Sequence, residues 1–125
     1  MPRRFISRPA ESPRWRRVLV RGPSMSPTLA DGDVLLVTFG SAPRPGAVVL
    51  VCWPSRPEQL SVKRAVRPAD AGRDADAGWE VRGDNPYGST DSRQLGPARV
   101  IGVARCRLWP APRRLTARRP RDQPE

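Results

Sequence analysis

Residues 34–53 read "VLLVTFGSAPRPGAVVLVCW". Two apolar runs, 34–39 and 47–53, flank a Pro/Gly turn at 42–46. Runs this short, rich in β-branched residues and closed off by turn residues, predict strands. The second run is apolar throughout, which predicts a buried strand. Working outward, "DGD" (31–33) is a turn and "RVLVR" (17–21) a strand before it. Downstream, "PSRPE" breaks the chain before "QLSVKRAV" (59–66). "WEVR" (79–82) alternates, and "RVIGVARCRLW" (99–109) is a last strand with a bulge expected at Gly102. An acidic Gly/Ala-rich loop (68–78) and a long irregular stretch, "GDNPYGSTDSRQLGP" (83–97), separate these strands. Short strands with Pro/Gly punctuation predict an all-β barrel or sandwich, with no repeat and no long helix.

The composition agrees. The chain has 125 residues, ten Gly and sixteen Pro, which suits one small domain and disfavours long helices. Its net charge is +11, yet residues 22–104 balance to zero, so the excess sits at the two ends. The ends, 1–14 and 111–125, are expected as flexible basic tails around a 15–110 domain. Such tails could meet an acidic partner, nucleic acid or anionic lipid. The core shows no aromatic-studded basic patch of the kind that binds single strands, so nucleic acid is not the expected partner. The longest apolar run has seven residues, far short of a membrane span, and no apolar signal-peptide core is present. A cytoplasmic protein is expected. Cys52 and Cys106 lie far apart within apolar runs and read as free thiols. With no histidine and no cysteine cluster, no metal or other cofactor is expected.

The same lack of histidine excludes Ser-His-Asp and Cys-His chemistry. No Gly-rich phosphate loop is present. Of 23 basic side chains one is lysine, Lys63, in "LSVKRAV". Arginine stays protonated in proteins, whereas a buried lysine can lose its proton. Strand alternation puts Ser61, Lys63 and Ala65 on one face, and these small neighbours leave room for the lysine to run inward. A serine nucleophile with a neutral lysine as base needs only what this chain has. The loop "GPSMSPTL" (22–29) offers two candidates, Ser24 and Ser26.

Three stretches together resemble the type I signal peptidase family. "SMSPTL" followed by "GDVLLV" is similar to its nucleophile box, "VKRAV" to its lysine box, and "GDNPYGSTDSR" to its Gly-Asp-Asn…Ser-x-Asp-Ser-Arg box, in family order. The resemblance implies a small, mostly antiparallel β-barrel. It implies Ser24, the serine before the methionine, as nucleophile, and Pro27 after Ser26 agrees with that choice. It implies Lys63 as general base and Ser89 as the serine that orients it. Asp91 and Arg93 match an ion pair behind the site, Gly83, Asp84 and Asn85 the turn leading to it, and Met25 a residue beside the substrate subsite. Some members add a hydroxyl two residues before the nucleophile; Gly22 stands there.

Membrane signal peptidases carry N-terminal spans and the repressor-type Ser/Lys proteins a DNA-binding domain, neither of which is seen in this chain. Its compact form resembles the branch of nickel-type superoxide dismutase maturation proteases. That resemblance implies removal of the N-terminal leader of the nickel superoxide dismutase precursor by a protease that itself needs no nickel. The alternatives are signal peptidase-like processing of exported proteins, or a non-enzymatic module whose arginine tails hold nucleic acid.

Overall fold

The computed structural model describes residues 14–69 and 78–117. They form one antiparallel sheet of seven strands. In chain order these are β1 (Arg14–Leu19), β2 (Val34–Phe39), β3 (Val48–Trp53), β4 (Arg56–Pro68), β5 (Trp79–Arg82), β6 (Arg99–Trp109) and β7 (Arg113–Arg114). A one-turn helix, α1 (Ser92–Leu95), precedes β6. Across the sheet the order is β1-β2-β6-β3-β4-β5, with β7 on β6.

The apolar runs dictate this layering. All six residues of β3 are buried, because its two faces serve two clusters. Val48 and Leu50 join Val20, Met25, Leu29, Leu35, Val37, Val62 and Ala104 on one side. Val49, Val51 and Trp53 join Ala65, Val81, Ala98 and Val103 on the other. A continuous apolar strand in the sheet centre and half-apolar strands toward its ends are what burial on two faces and one face require.

The antiparallel all-β reading holds. Hydrogen bonding does not close the sheet into the expected barrel, since β1 and β5, at the ends of the order, do not pair with each other. Two expected breaks are also revised. "PSRPE" contains only a two-residue turn, Pro54–Ser55, because Arg56 already pairs with Trp53. β4 then runs on through Pro57, and Pro57–Leu60 bulge where β3 has only Cys52. The irregular 83–97 stretch contains α1, capped by Asp91, whose side chain accepts from the helix start while Gln94 reaches back to the Asp91 N–H. This is the reciprocal arrangement of a capping box.

β6 is bulged beside Gly102, where Leu50 pairs with Gly102 and Val51 with Val100, so Ile101 is the extra residue. A Cβ at Gly102 would lie 2.6 Å from Val37 Cγ1, so glycine is needed for β2 to pass this close. Residues 1–13 and 118–125, most of the stretches read as tails, lie outside the described residues. The sheet itself continues past residue 110. Arg113 and Arg114 pair with Arg107 and Cys106, and the Leu115 N–H donates to the Arg105 carbonyl at 3.0 Å.

Candidate active site

The site grows from the loop after β1. Its base is pinned where the Val20 N–H donates to the Asp33 carbonyl and the Gly32 N–H to the Val20 carbonyl, both at 2.8 Å. Within it the Leu29 N–H donates to the Met25 carbonyl at 2.9 Å, and both side chains are buried in the first cluster. Met25 therefore plugs the core at 1% exposure and does not line the groove described below. With its apolar side chains turned inward, the loop leaves Ser24 half-buried at the surface of that groove.

The groove has a volume of about 590 Å³. One wall is the end of β1 and the loop through Ser24; the other is Gln59–Lys63 of β4, with Thr90 and Leu95 at one side. Ser24 and Lys63 both line it, and Ser26 does not.

Lys63 faces Val49 across the β4–β3 ladder and is 4% exposed. Its Nζ donates to Ser89 Oγ at 3.3 Å, and Ser89 Oγ donates to Asp91 Oδ2 at 3.0 Å. A carboxylate only accepts, so the Ser89 proton is committed to Asp91 and Ser89 can only accept from Lys63. One N–H of Lys63 is thereby fixed, and the lone pair of a neutral amine is left free to face the groove. Burial lowers the Lys63 pKa, and the Asp91 charge raises it in part, with the net direction downward. No direct hydrogen bond joins Lys63 to Ser24 among the described residues.

Asp91 is fully buried and accepts from Gly83 N–H at 3.0 Å, Arg93 N–H at 3.2 Å, Arg93 Nε at 3.0 Å and Arg93 Nη2 at 2.9 Å. Burial pushes its carboxyl up, but the bonds from Arg93, Gly83 and Ser89 outweigh that and hold it below its ordinary value. The Asp91–Arg93 pair thus stands behind Ser89, which stands behind Lys63.

Gly83 is the hinge of this arrangement. A Cβ there would lie 2.5 Å from the Ser24 carbonyl oxygen and would collide with Ser89 Oγ. The next residues hold the Ser24 loop directly. The Asn85 N–H donates to the Ser24 carbonyl at 2.9 Å, and Asn85 Nδ2 to the Pro23 carbonyl at 3.1 Å. Gly22, at φ 80°, donates its N–H to Asp31 Oδ1 at 2.7 Å.

Sequence reasoning missed what ties the three stretches together. Arg64, next to Lys63 but on the opposite face, is 2% exposed. Its Nε and Nη2 bind Asp84 Oδ1 and Oδ2 at 3.0 and 2.6 Å, and its Nη1 binds the Gly46 carbonyl at 2.9 Å. Thr28 Oγ1 donates to Asp84 Oδ2 at 2.5 Å. One carboxylate thus joins the Ser24 loop, the Lys63 strand and the Gly83–Asn85 turn. The available signal was an arginine inside an apolar strand, since a guanidinium is buried only with a partner.

The pattern of the family described as "Signal peptidase, peptidase S26" matches residues 12–68, which carry both Ser24 and Lys63. The mitochondrial ATP-independent inner membrane protease subunit 1a of Arabidopsis thaliana is 37% identical over 117 residues, covering 73% of this chain and 68% of that protein. The chain belongs to the signal peptidase family. It is therefore a protease by kinship, a hydrolase acting on protein substrates. Membership also gives the irregular 83–97 stretch a context, because it packs beside the matched region and carries the groups that back Lys63. Among the described residues no helix is long and apolar enough to cross a membrane.

Proposed function

We propose that this signal peptidase relative works through a Ser24/Lys63 dyad. The observation that carries this reading is the burial of the chain's one lysine in the groove that Ser24 lines, with Ser89 and Asp91 fixing its orientation. Neutral Lys63 takes the Ser24 proton as Ser24 Oγ attacks the scissile carbonyl. The Lys63 ammonium then protonates the leaving amine, which breaks the peptide bond and leaves an acyl-Ser24. Lys63, neutral again, draws a proton from water as the water oxygen attacks the ester, and the Lys63 ammonium returns that proton to the departing Ser24 Oγ, releasing the new C-terminus and restoring both groups. The Ser24 N–H, which has no protein acceptor among the described residues, is the oxyanion donor in this scheme. The Gly22 N–H is occupied by Asp31.

The groove also suits an extended chain. Among the described residues β1 pairs only with β2, and β5 covers β4 only from Arg64 onward, so an edge with no described strand partner stands on each side of it. A peptide laid there gains main-chain hydrogen bonds from both.

For the substrate we favour the N-terminal leader of the nickel superoxide dismutase precursor, cut in the cytoplasm. The support is the resemblance of the three stretches to that branch. Processing of exported precursors is the second reading, supported by the signal peptidase pattern over residues 12–68 and by the inner membrane protease relative. Purified protein is to be incubated with each precursor, beside its Ser24→Ala, Lys63→Arg and Lys63→Met forms. Cleavage of the dismutase precursor by the unaltered protein, lost in all three variants, is expected. Cleavage of the exported precursor alone decides for the second reading. Activity that survives Ser24→Ala rejects the dyad.

A further inference from the structure

The groove has a floor and a rim of different chemistry. Its apolar lining, here called the floor, comprises the nearly inaccessible Val20, Leu50, Trp53 and Val62 and the exposed Leu19 and Leu60. Trp53 makes no polar demand on a ligand, because its Nε1 already donates to the Gly96 carbonyl at 2.8 Å. The rim carries Arg21 and Arg56, both exposed. Among the described residues no aspartate or glutamate lines the groove, and Glu58, two residues beyond Arg56, is not part of its wall. The arginines held in ion pairs among the described residues are Arg64, Arg67, Arg93 and Arg107. Among the described residues the two groove arginines thus have no ion-pair partner, and they stand beside apolar lining residues.

Arg56 lies within residues 22–104, which carry as many acids as bases, whereas Arg21 belongs to the basic excess of residues 1–21; the groove wall brings the two together. An apolar floor favours apolar side chains, and guanidiniums without an ion-pair partner at its margin favour a carboxylate, which they can hold in a bidentate fork.

We propose that the groove selects extended peptides that place apolar side chains on its floor and an aspartate or glutamate at its rim, read by Arg21 and Arg56. The substrate class is thus an apolar cleavage region flanked by acidic residues. A basic flank meets like charge and is rejected. The inference rests on the Ser24/Lys63 reading and extends it from chemistry to choice of substrate.

The test is a library of proteome-derived peptides, incubated with the protein and with its Ser24→Ala form, with new N-termini mapped by mass spectrometry. Ser24-dependent sites are expected to be enriched in Asp and Glu, and depleted in Lys and Arg, close to the cut bond. On single peptides, exchanging that acid for lysine should lower kcat/KM roughly tenfold, the combined size of two partly exposed ion pairs. The double variant Arg21→Glu, Arg56→Glu should invert the preference toward basic flanks. Arg21→Gln, Arg56→Gln, a milder change at exposed positions, should abolish the preference by lowering kcat/KM for acid-flanked peptides roughly tenfold, to the level of neutral-flanked ones. Ser24-dependent cleavage without acid enrichment, or with a preference unchanged in both double variants, overturns the proposal alone. No Ser24-dependent cleavage of any peptide overturns the dyad and this inference with it.

Discussion

In the proposed dyad, Lys63 has to shed a proton before it can take one from Ser24. The rate should therefore climb as pH rises through the Lys63 pKa, at lower pH than for an exposed lysine, whose value is 10.5. Asp91 works against that lowering, so Asp91→Asn should move the climb to still lower pH even though the overall rate falls. A pH–rate profile checks this, and a shift to higher pH contradicts it. Stability follows the same groups, rising with pH in two separate windows. Between the lowered Lys63 pKa and 10.5 the unfolded chain binds more protons, so stability rises with pH there. Asp91 contributes stability that is present above its unfolded value of 3.8 and is lost as pH falls through its lowered folded value. Gly83 allows a second test. With Ser24 and Ser89 both in the way of a Cβ, Gly83→Ala should cost about 2–4 kcal/mol in urea unfolding and remove most activity. At this scale much was legible from sequence, because residue identity alone leaves few candidates for a base. Arg64 and Thr28 were not, because alternation tells which face a side chain takes but not whether that face is covered.

Among the elements, β2, β5 and β6 match the expected strands end to end, since turn residues bracket them on both sides. β4 ran past its expected start because Pro57 lies on a bulged stretch, where a missing N–H breaks no ladder bond that the strand needs. The helix α1 was hidden in an irregular-looking segment, although "DSRQ" carried its capping box. β7 was the least legible element, since two arginines next to prolines give no apolar pattern. It nevertheless has work to do. Arg113 Nη2 donates to the Thr28 carbonyl, and Leu115 packs against the cluster that holds Met25 and Leu29. Leu115→Ala should therefore cost about 1–2 kcal/mol, a partial share of a buried leucine, visible as a lower Tm. It should also loosen the Ser24 loop, read as faster amide exchange at Leu29.

For the molecule as a whole, the Arg64–Asp84 pair is a tie between segments distant in sequence. Breaking a buried pair strands the partner that remains, so Asp84→Asn should cost about 3–5 kcal/mol. Arg67, paired with Glu80 at a similar 2.9 Å but largely exposed, is the control, and Arg67→Ala should cost about 0–1 kcal/mol. Chemical denaturation of both variants tests whether burial rather than distance sets the size of the effect. The all-β class and the antiparallel pairing were legible because strand runs and turns alternate along the whole chain. The open sheet was not, since closure depends on long-range pairing that no local pattern specifies.

That openness has a consequence for solution behaviour. An unpaired strand edge will accept any extended chain, including the same edge of another copy of the protein. Arg14, Arg16 and Arg17 stand on β1, and Arg56 begins β4, so two copies approaching edge to edge bring like charges together. Salt screens that repulsion. Static light scattering should therefore find monomers at low ionic strength and growing self-association as salt is added. A carboxylate-bearing peptide reverses the balance, so the charges that keep the protein apart from itself leave its groove open to an acidic guest.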